Sequence, residues 1–130
     1  MKRYSEKSLE RRKEERKGFP EFFQRHIQNI RDNRLCCEEC GARLKGDASE
    51  IAHILPKGTF KSIAINDLNV LYLCGMWSNS QCHSNYDNYP TAKVKEMNIF
   101  PKVAERFKEL EEEITEKITY KTEERYTWQV

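Results

Sequence analysis

Four of the five cysteines in this 130-residue chain fall into two clusters, Cys37-x2-Cys40 and Cys74-x7-Cys82. Two thiolates at that first spacing, on a tight turn, reach one tetrahedral ion, and two more from elsewhere complete a four-thiolate set for zinc. Cys36 also precedes Cys40, so either Cys36 or Cys37 could pair with it; the two-residue spacing favours Cys37. Within and beside the segment that such a clamp closes lie His53, Asn69 and His83. An imidazole accepts a proton from water near neutral pH, or binds a metal through a ring nitrogen. Asp87 follows His83 by four residues, so on a helix the two share a face and could hold one ion together; Glu50 is a weaker substitute. Each residue has a plainer alternative. The thiols could be buried and free, His53 a core histidine on a strand, Asn69 a turn residue beside Asn66 and Asp67, and His83 a helix opener.

The elements around these residues follow from periodicity and punctuation. Ser5 to Lys17 is charge-rich with only Leu9 apolar, and reads as a solvated helix. Gly18 punctuates it. Pro20 suits the first turn of a second helix, with Phe22, Phe23, Ile27 and Ile30 as its apolar face, running to about Asp32 or Asn33. Cys36 to Gly46 forms the knuckle. Glu50 to Leu55 reads as a short strand ended by Pro56, Lys57 to Leu68 as a loop, and Val70 to Leu73 as a second, mostly apolar strand. A helix starts at His83, and Pro90 stops or redirects it. Val103, Phe107, Leu110, Ile114 and Ile118 form one stripe, which predicts a helix over 102–118 that packs on the domain or, alternatively, pairs two copies of the chain. Tyr126, Trp128 and Val130 alternate, which predicts a terminal strand over 120–130. The organisation is helices over 1–34, a zinc-knuckle domain over 35–90 and a helical extension over 91–130, an α+β class.

Composition narrows the function. Hydrophobic residues are 38% and charged residues 34%, so the core is small and gains from a metal staple. No apolar run approaches a membrane span, and Met1 to Lys7 leads into charge and not into an apolar signal core. Clustered cysteines without a signal-like start fit a reducing, cytoplasmic setting and metal ligation. Residues 1–64 carry 15 Lys and Arg against 10 Asp and Glu, a surplus of +5, whereas residues 65–130 carry 8 against 11. A basic N-terminal half suits a phosphate-backbone partner, although such charge runs are often solvated faces.

Cys37-Glu-Glu-Cys40, Ala52-His53-Ile54-Leu55-Pro56-Lys57, Asn69-Val-Leu-Tyr-Leu-Cys74 and Cys82-His83 occur in the order found in the zinc-knuckle branch of the HNH nucleases, and residues 35–90 resemble that family. The resemblance implies a ββα-metal fold and hydrolysis of phosphodiester bonds in DNA. It implies that His53 is the general base, that Asn69 fixes the loop and helps orient that histidine, and that His83 binds a catalytic ion, Mg²⁺ or Mn²⁺. A structural zinc would sit on Cys37, Cys40, Cys74 and Cys82. Family members usually place a ligand directly before the general base; here that position is Ala52, as in some phage-type members, and Asp87 stands in. Gly75 to Gln81 makes the second cysteine gap longer than usual and is expected to bulge out, bringing Trp77 to DNA. Lys57, Lys61, Arg12 and Lys13 are the other expected nucleic-acid contacts. A phage-encoded member would work in the cytoplasm of a bacterial host, as a monomer or homodimer. The alternative is a zinc module that binds nucleic acid or a protein partner without cutting.

Overall fold

Two strands of three residues each carry the centre of the chain. β1 (Ile51–His53) pairs antiparallel with β2 (Val70–Tyr72), in the register Ile51 to Tyr72, Ala52 to Leu71 and His53 to Val70. So short a pair is not stable in water alone and needs packing against other elements. The computed structural model describes residues 6–128, with side chains from residue 18 onward. Arg12 and Lys13 lie outside the described side chains, and Val130 lies outside the described residues.

The elements in chain order are α1 (Glu6–Asn33), β1, β2, α2 (Cys82–Asn88), α3 (Thr91–Val94), α4 (Phe100–Leu110) and α5 (Tyr120–Tyr126). The class is therefore α+β, with a two-stranded sheet followed by a short helix and flanked by helices on both chain sides. Phe22 and Ile30 of α1, Leu55, Leu71 and Leu73 around the strands, and Phe100, Phe107 and Leu110 of α4 form one buried core. The stripe Val103, Phe107, Leu110 is consumed inside the chain, each residue fully buried. Among the described residues, no helix is long and apolar enough to cross a membrane.

Both strands are shorter than the expected Glu50 to Leu55 and Val70 to Leu73, and three further segments differ more. Gly18 and Pro20 do not divide the N-terminal segment; α1 runs through both as one helix. Pro20 forgoes one helical hydrogen bond, and Gly18 faces the loop that carries Ile65. A Cβ there would lie 2.9 Å from Ile65 Cδ1, so the missing side chain lets α1 approach that loop. The 102–118 helix stops at Leu110. Beyond it Asn66 Nδ2 donates to Glu113 at 2.6 Å, Ser62 N donates to Glu116 at 3.1 Å, and Thr115 N donates to Ser62 at 3.2 Å. An acidic run, Glu111 to Glu113, is unfavourable at a helix C-terminus, so these contacts win over the periodicity, and Ile114 and Ile118 pack half-buried outside the helix. The expected terminal strand is instead α5. Thr119 caps it by accepting from Thr122 N, and Tyr126 is buried and stacks on Phe107 with centroids 5.9 Å apart. Among the described residues the sheet consists of β1 and β2, and this segment joins neither.

Candidate metal centre and active cleft

The knuckle is built by backbone turns. Cys37 N donates to Ala42 O at 2.7 Å, Gly41 N donates to Cys37 O at 3.0 Å, and Cys36 bridges to Arg43. The turn aims Cys37 and Cys40 toward Cys74, which follows β2, and Cys82, which opens α2. The sulfur atoms of these four residues all lie within 4.8 Å of one another. Cys40 Sγ and Cys74 Sγ are 3.8 Å apart. A tetrahedral ion with bonds of ~2.3 Å to sulfur needs S···S edges of about 3.8 Å, so the cluster has the dimensions of a four-cysteine metal site. Cys40 N and Cys82 N donate to Cys37 and Cys74 sulfur at 3.4 and 3.3 Å. Burial pushes the Cys37 and Cys82 thiols up. Burial acts likewise on Cys74, but the Ser78 hydroxyl, the Cys82 N–H and the neighbouring thiols outweigh it and bring that thiol to about 7. Cys36 is exposed and outside the cluster, which places Cys37 in the set.

Twelve further residues line one open cleft of about 740 Å³ with His53, among them His83, Asp87, Lys57 and Arg125. His53 ends β1 with its ring stacked on Phe22 at 5.6 Å and edge-on to Phe23 at 6.2 Å. Its Nε2 lies 2.8 Å from Ala64 O. A carbonyl only accepts, so Nε2 carries the proton and the lone pair remains on Nδ1. Burial lowers the His53 pKa, with Lys57 and His83 acting the same way against the Ala64 carbonyl. The ring is thus neutral, with one lone pair free, at neutral pH.

Asn69 is fully buried, and its side-chain hydrogen bonds go to residues other than His53. It holds the intervening loop by accepting from Leu55 N at 2.8 Å and donating to Leu55 O at 3.1 Å and Ile63 O at 3.4 Å. Ala64, the partner of His53, follows Ile63. Asn69 therefore positions the imidazole at one remove, through the loop.

His83 sits in the first turn of α2. Its Nδ1 lies 2.6 Å from Ser49 O and therefore donates, which turns Nε2 toward Asp87 Oδ2 at 3.2 Å. Gly75 makes this possible: a Cβ there would lie 2.1 Å from Ser49 Oγ, so only glycine lets the loop after Cys74 pass the turn that supplies the carbonyl. The Asp87 carboxylate raises the His83 pKa against the effect of burial. A lone pair and a carboxylate oxygen facing each other need a cation between them, either a proton or a metal. Ligands adjacent on an octahedral ion with ~2.1 Å bonds stand about 3 Å apart, so the pair has a spacing that fits a divalent ion.

Several expected site residues are placed elsewhere. Glu50 is fully buried and accepts from Lys45 N, Gly46 N, Asp47 N and Trp77 Nε1 at 2.7 to 2.9 Å, so its carboxylate is saturated and is no metal ligand. Trp77 spends its N–H on Glu50, lies under Lys45 at 4.7 Å and does not line the cleft. The large apolar residue that its loop leaves bare is Met76, 84% exposed. Lys61 is half-buried outside the cleft, whereas Lys57 lines it. Ala52 is fully buried opposite Leu71 and also does not line it.

Two features were not read from the sequence. Arg125 of α5 donates to Tyr89 O at 2.9 Å and Tyr86 O at 3.0 Å and forms one cleft wall; only the tertiary fold brings it beside α2. His26 is buried, with Nδ1 2.6 Å from Tyr72 Oη and Nε2 2.9 Å from Asp67 Oδ1. Its i,i+4 relation to Phe22 was the one hint that it faces inward. Comparison of the chain with models of protein families, with curated proteins and with solved structures finds no match.

Proposed function

We propose that the chain is a metal-dependent endonuclease that hydrolyses phosphodiester bonds in DNA, as its resemblance to the HNH nucleases implies. The observation that carries the reading is the pairing of two differently prepared imidazoles in one cleft. His53 has its Nε2 proton fixed on a carbonyl and an Nδ1 lone pair free for water. His83 has its Nδ1 proton fixed on a carbonyl and Nε2 set against Asp87. One ring is arranged to take a proton, and the other to take a cation. His53 acts as the general base on the attacking water. His83 and Asp87 hold Mg²⁺ or Mn²⁺, which stabilises charge on the phosphoryl and departing oxygens. Lys57 and Arg125 hold the phosphate backbone. Cys37, Cys40, Cys74 and Cys82 hold a zinc whose role is structural: it ties the end of β2 and the start of α2 to the knuckle.

The test is a plasmid-nicking assay with Mg²⁺ or Mn²⁺ and the His53→Ala variant. Loss of a general base costs about 10²–10⁴-fold in rate, while DNA binding and folding stay near those of the parent chain. Equal losses of binding and cleavage would instead identify a structural histidine. A second reading, a zinc module that binds without cutting, is favoured by Ala52, whose buried methyl supplies no ligand. Absence of cleavage on every DNA form and with either ion selects that reading.

A further inference from the structure

Phe19 and Phe23 lie one turn apart on α1 and present nearly parallel rings, with centroids 6.3 Å apart and an interplanar angle of 28°. Both are half-buried, and Phe23 lines the cleft beside His53. The Lys57 ammonium lies 5.4 Å from the Phe19 centroid and 5.5 Å from that of Phe23. In the same cleft, Arg125 is held by two neutral carbonyls. No carboxylate pairs with Lys57 or Arg125 among the described residues. The cleft thus has two cations without an ion-pair partner, and Phe23 in its wall with Phe19 just beyond it, both rings under Lys57.

Un-neutralised cations beside flat rings are the two halves of a single-strand site: the cations take the phosphate and the rings take a base. A base in a duplex is already paired and stacked, and reaching a ring would cost its unstacking. We propose that the strand this cleft accepts is single-stranded DNA, with a base stacked on the Phe19–Phe23 pair and its phosphate between Lys57 and Arg125. The proposal deepens the nuclease reading and rests on it for the identity of the polymer. Lys57 makes the exchange possible. An ammonium gains more from a charge-assisted hydrogen bond to phosphate than from a ring face, so the incoming phosphate draws Lys57 off the rings and uncovers them for the base. The competing explanation is that both rings merely seal α1 onto the loop that carries Lys57. Phe23 does pack against the core, and edge-on against Phe22 at 5.6 Å, but Phe19 is not part of that cluster. Phe19 is therefore the residue that separates the two.

The experiment measures fluorescence anisotropy of a labelled oligonucleotide, single-stranded or annealed to its complement, titrated with the full chain in buffer without added Mg²⁺ or Mn²⁺. The single strand is expected to bind more tightly than the duplex. Phe19→Ala should weaken single-strand binding by about 5- to 150-fold, the range for one base–aromatic stack, and leave the duplex affinity and the unfolding midpoint unchanged. Phe19→Trp should retain it, because any flat ring serves. Lys57→Gln should weaken both forms, since a phosphate contact does not sense pairing. Duplex binding equal to or tighter than single-strand binding overturns the proposal, as does a Phe19→Ala variant that binds the single strand normally or loses both forms equally. If the parent chain shows this pattern but cuts nothing with either metal, the nuclease reading falls and the single-strand site stands.

Discussion

At the scale of the residue, what separates the two cleft histidines is which nitrogen a backbone carbonyl occupies. Ala64 O takes Nε2 of His53 and Ser49 O takes Nδ1 of His83. The residue types were legible in the sequence, but the tautomers were not, because both carbonyls belong to loops whose approach is tertiary. The acid limb of activity follows from this. Burial holds the His53 pKa below its ordinary value of 6.5, and in the proposed mechanism the neutral ring is the working base. Its fraction falls only as pH drops through that lowered value, so kcat/KM at saturating metal should decline on the acid side with an apparent pKa below 6.5. A limb at or above the ordinary value would remove His53 from the base role. Asp87 makes a separate demand. Mg²⁺ keeps most of its waters and needs few direct ligands, so Asp87→Ala should raise the Mg²⁺ concentration for half-maximal cleavage about tenfold or more while maximal rates in Mn²⁺ change less. Unchanged metal dependence would move the ion site elsewhere.

At the scale of the element, the placement of α1 decides whether His53 is held at all, because Phe22 and Phe23 bracket that ring. α1 is fastened by a short polar chain in which His26 links Tyr72 of β2 to Asp67, with Arg25 on Asp67 at 2.6 Å and Asn29 on the Tyr72 hydroxyl at 3.0 Å. Burial lowers the His26 pKa despite the Asp67 carboxylate. Between that lowered value and about 6.5, the unfolded chain binds the proton that the folded chain refuses. Stability contributed by neutral His26 is therefore complete above about 6.5 and lost as pH falls below it. His26→Ala should cost about 1–3 kcal/mol in urea unfolding, as expected when buried partners lose their hydrogen bonds, and should flatten the decline of stability on the acid side of neutrality. A variant as stable as the parent, with the same decline, would dissociate this chain of hydrogen bonds from α1 docking. The elements themselves were read well where pattern and tertiary demand agree: the strands, α2 after Cys82, the Val103–Phe107–Leu110 stripe. They were misread where a contact distant in sequence wins. Gly18 serves Ile65 and not a helix break, the chain after Leu110 answers to Ser62 and Asn66, and Tyr126 packs on Phe107 in a helix although its alternation with Trp128 resembles a strand.

At the scale of the whole molecule, the four-cysteine cluster is the point on which the other parts hang. Cys37 and Cys40 come from the turn after α1, Cys74 from the end of β2, and Cys82 from the start of α2, the helix that presents His83 and Asp87. The turn is also tied to α4: Glu39 accepts from Asn98 N at 3.0 Å and Ile99 N at 3.1 Å, and Glu38 pairs with Lys102. Opening the cluster would thus release the sheet, the cleft helix and α4 together. The two strands are too short to stand in its absence, and thiolate–zinc binding is commonly folding free energy itself, worth on the order of 10 kcal/mol. We expect one zinc per chain by elemental analysis of protein prepared without added metal. We also expect that a strong chelator abolishes the folded circular dichroism signal and that zinc restores it. Cys37→Ser should lose both metal and fold. Cys36→Ser, at an exposed thiol outside the cluster, should keep both. The pair of variants is the sharper measurement, because burial alone cannot explain it: serine at a merely buried position would weaken the fold without changing the metal content of what remains folded. A metal-free parent chain that folds would overturn the zinc assignment and leave the 3.8 Å sulfur spacing to a thiol–thiol hydrogen bond, and a Cys36→Ser variant that loses zinc would transfer the ligand to the neighbouring thiol.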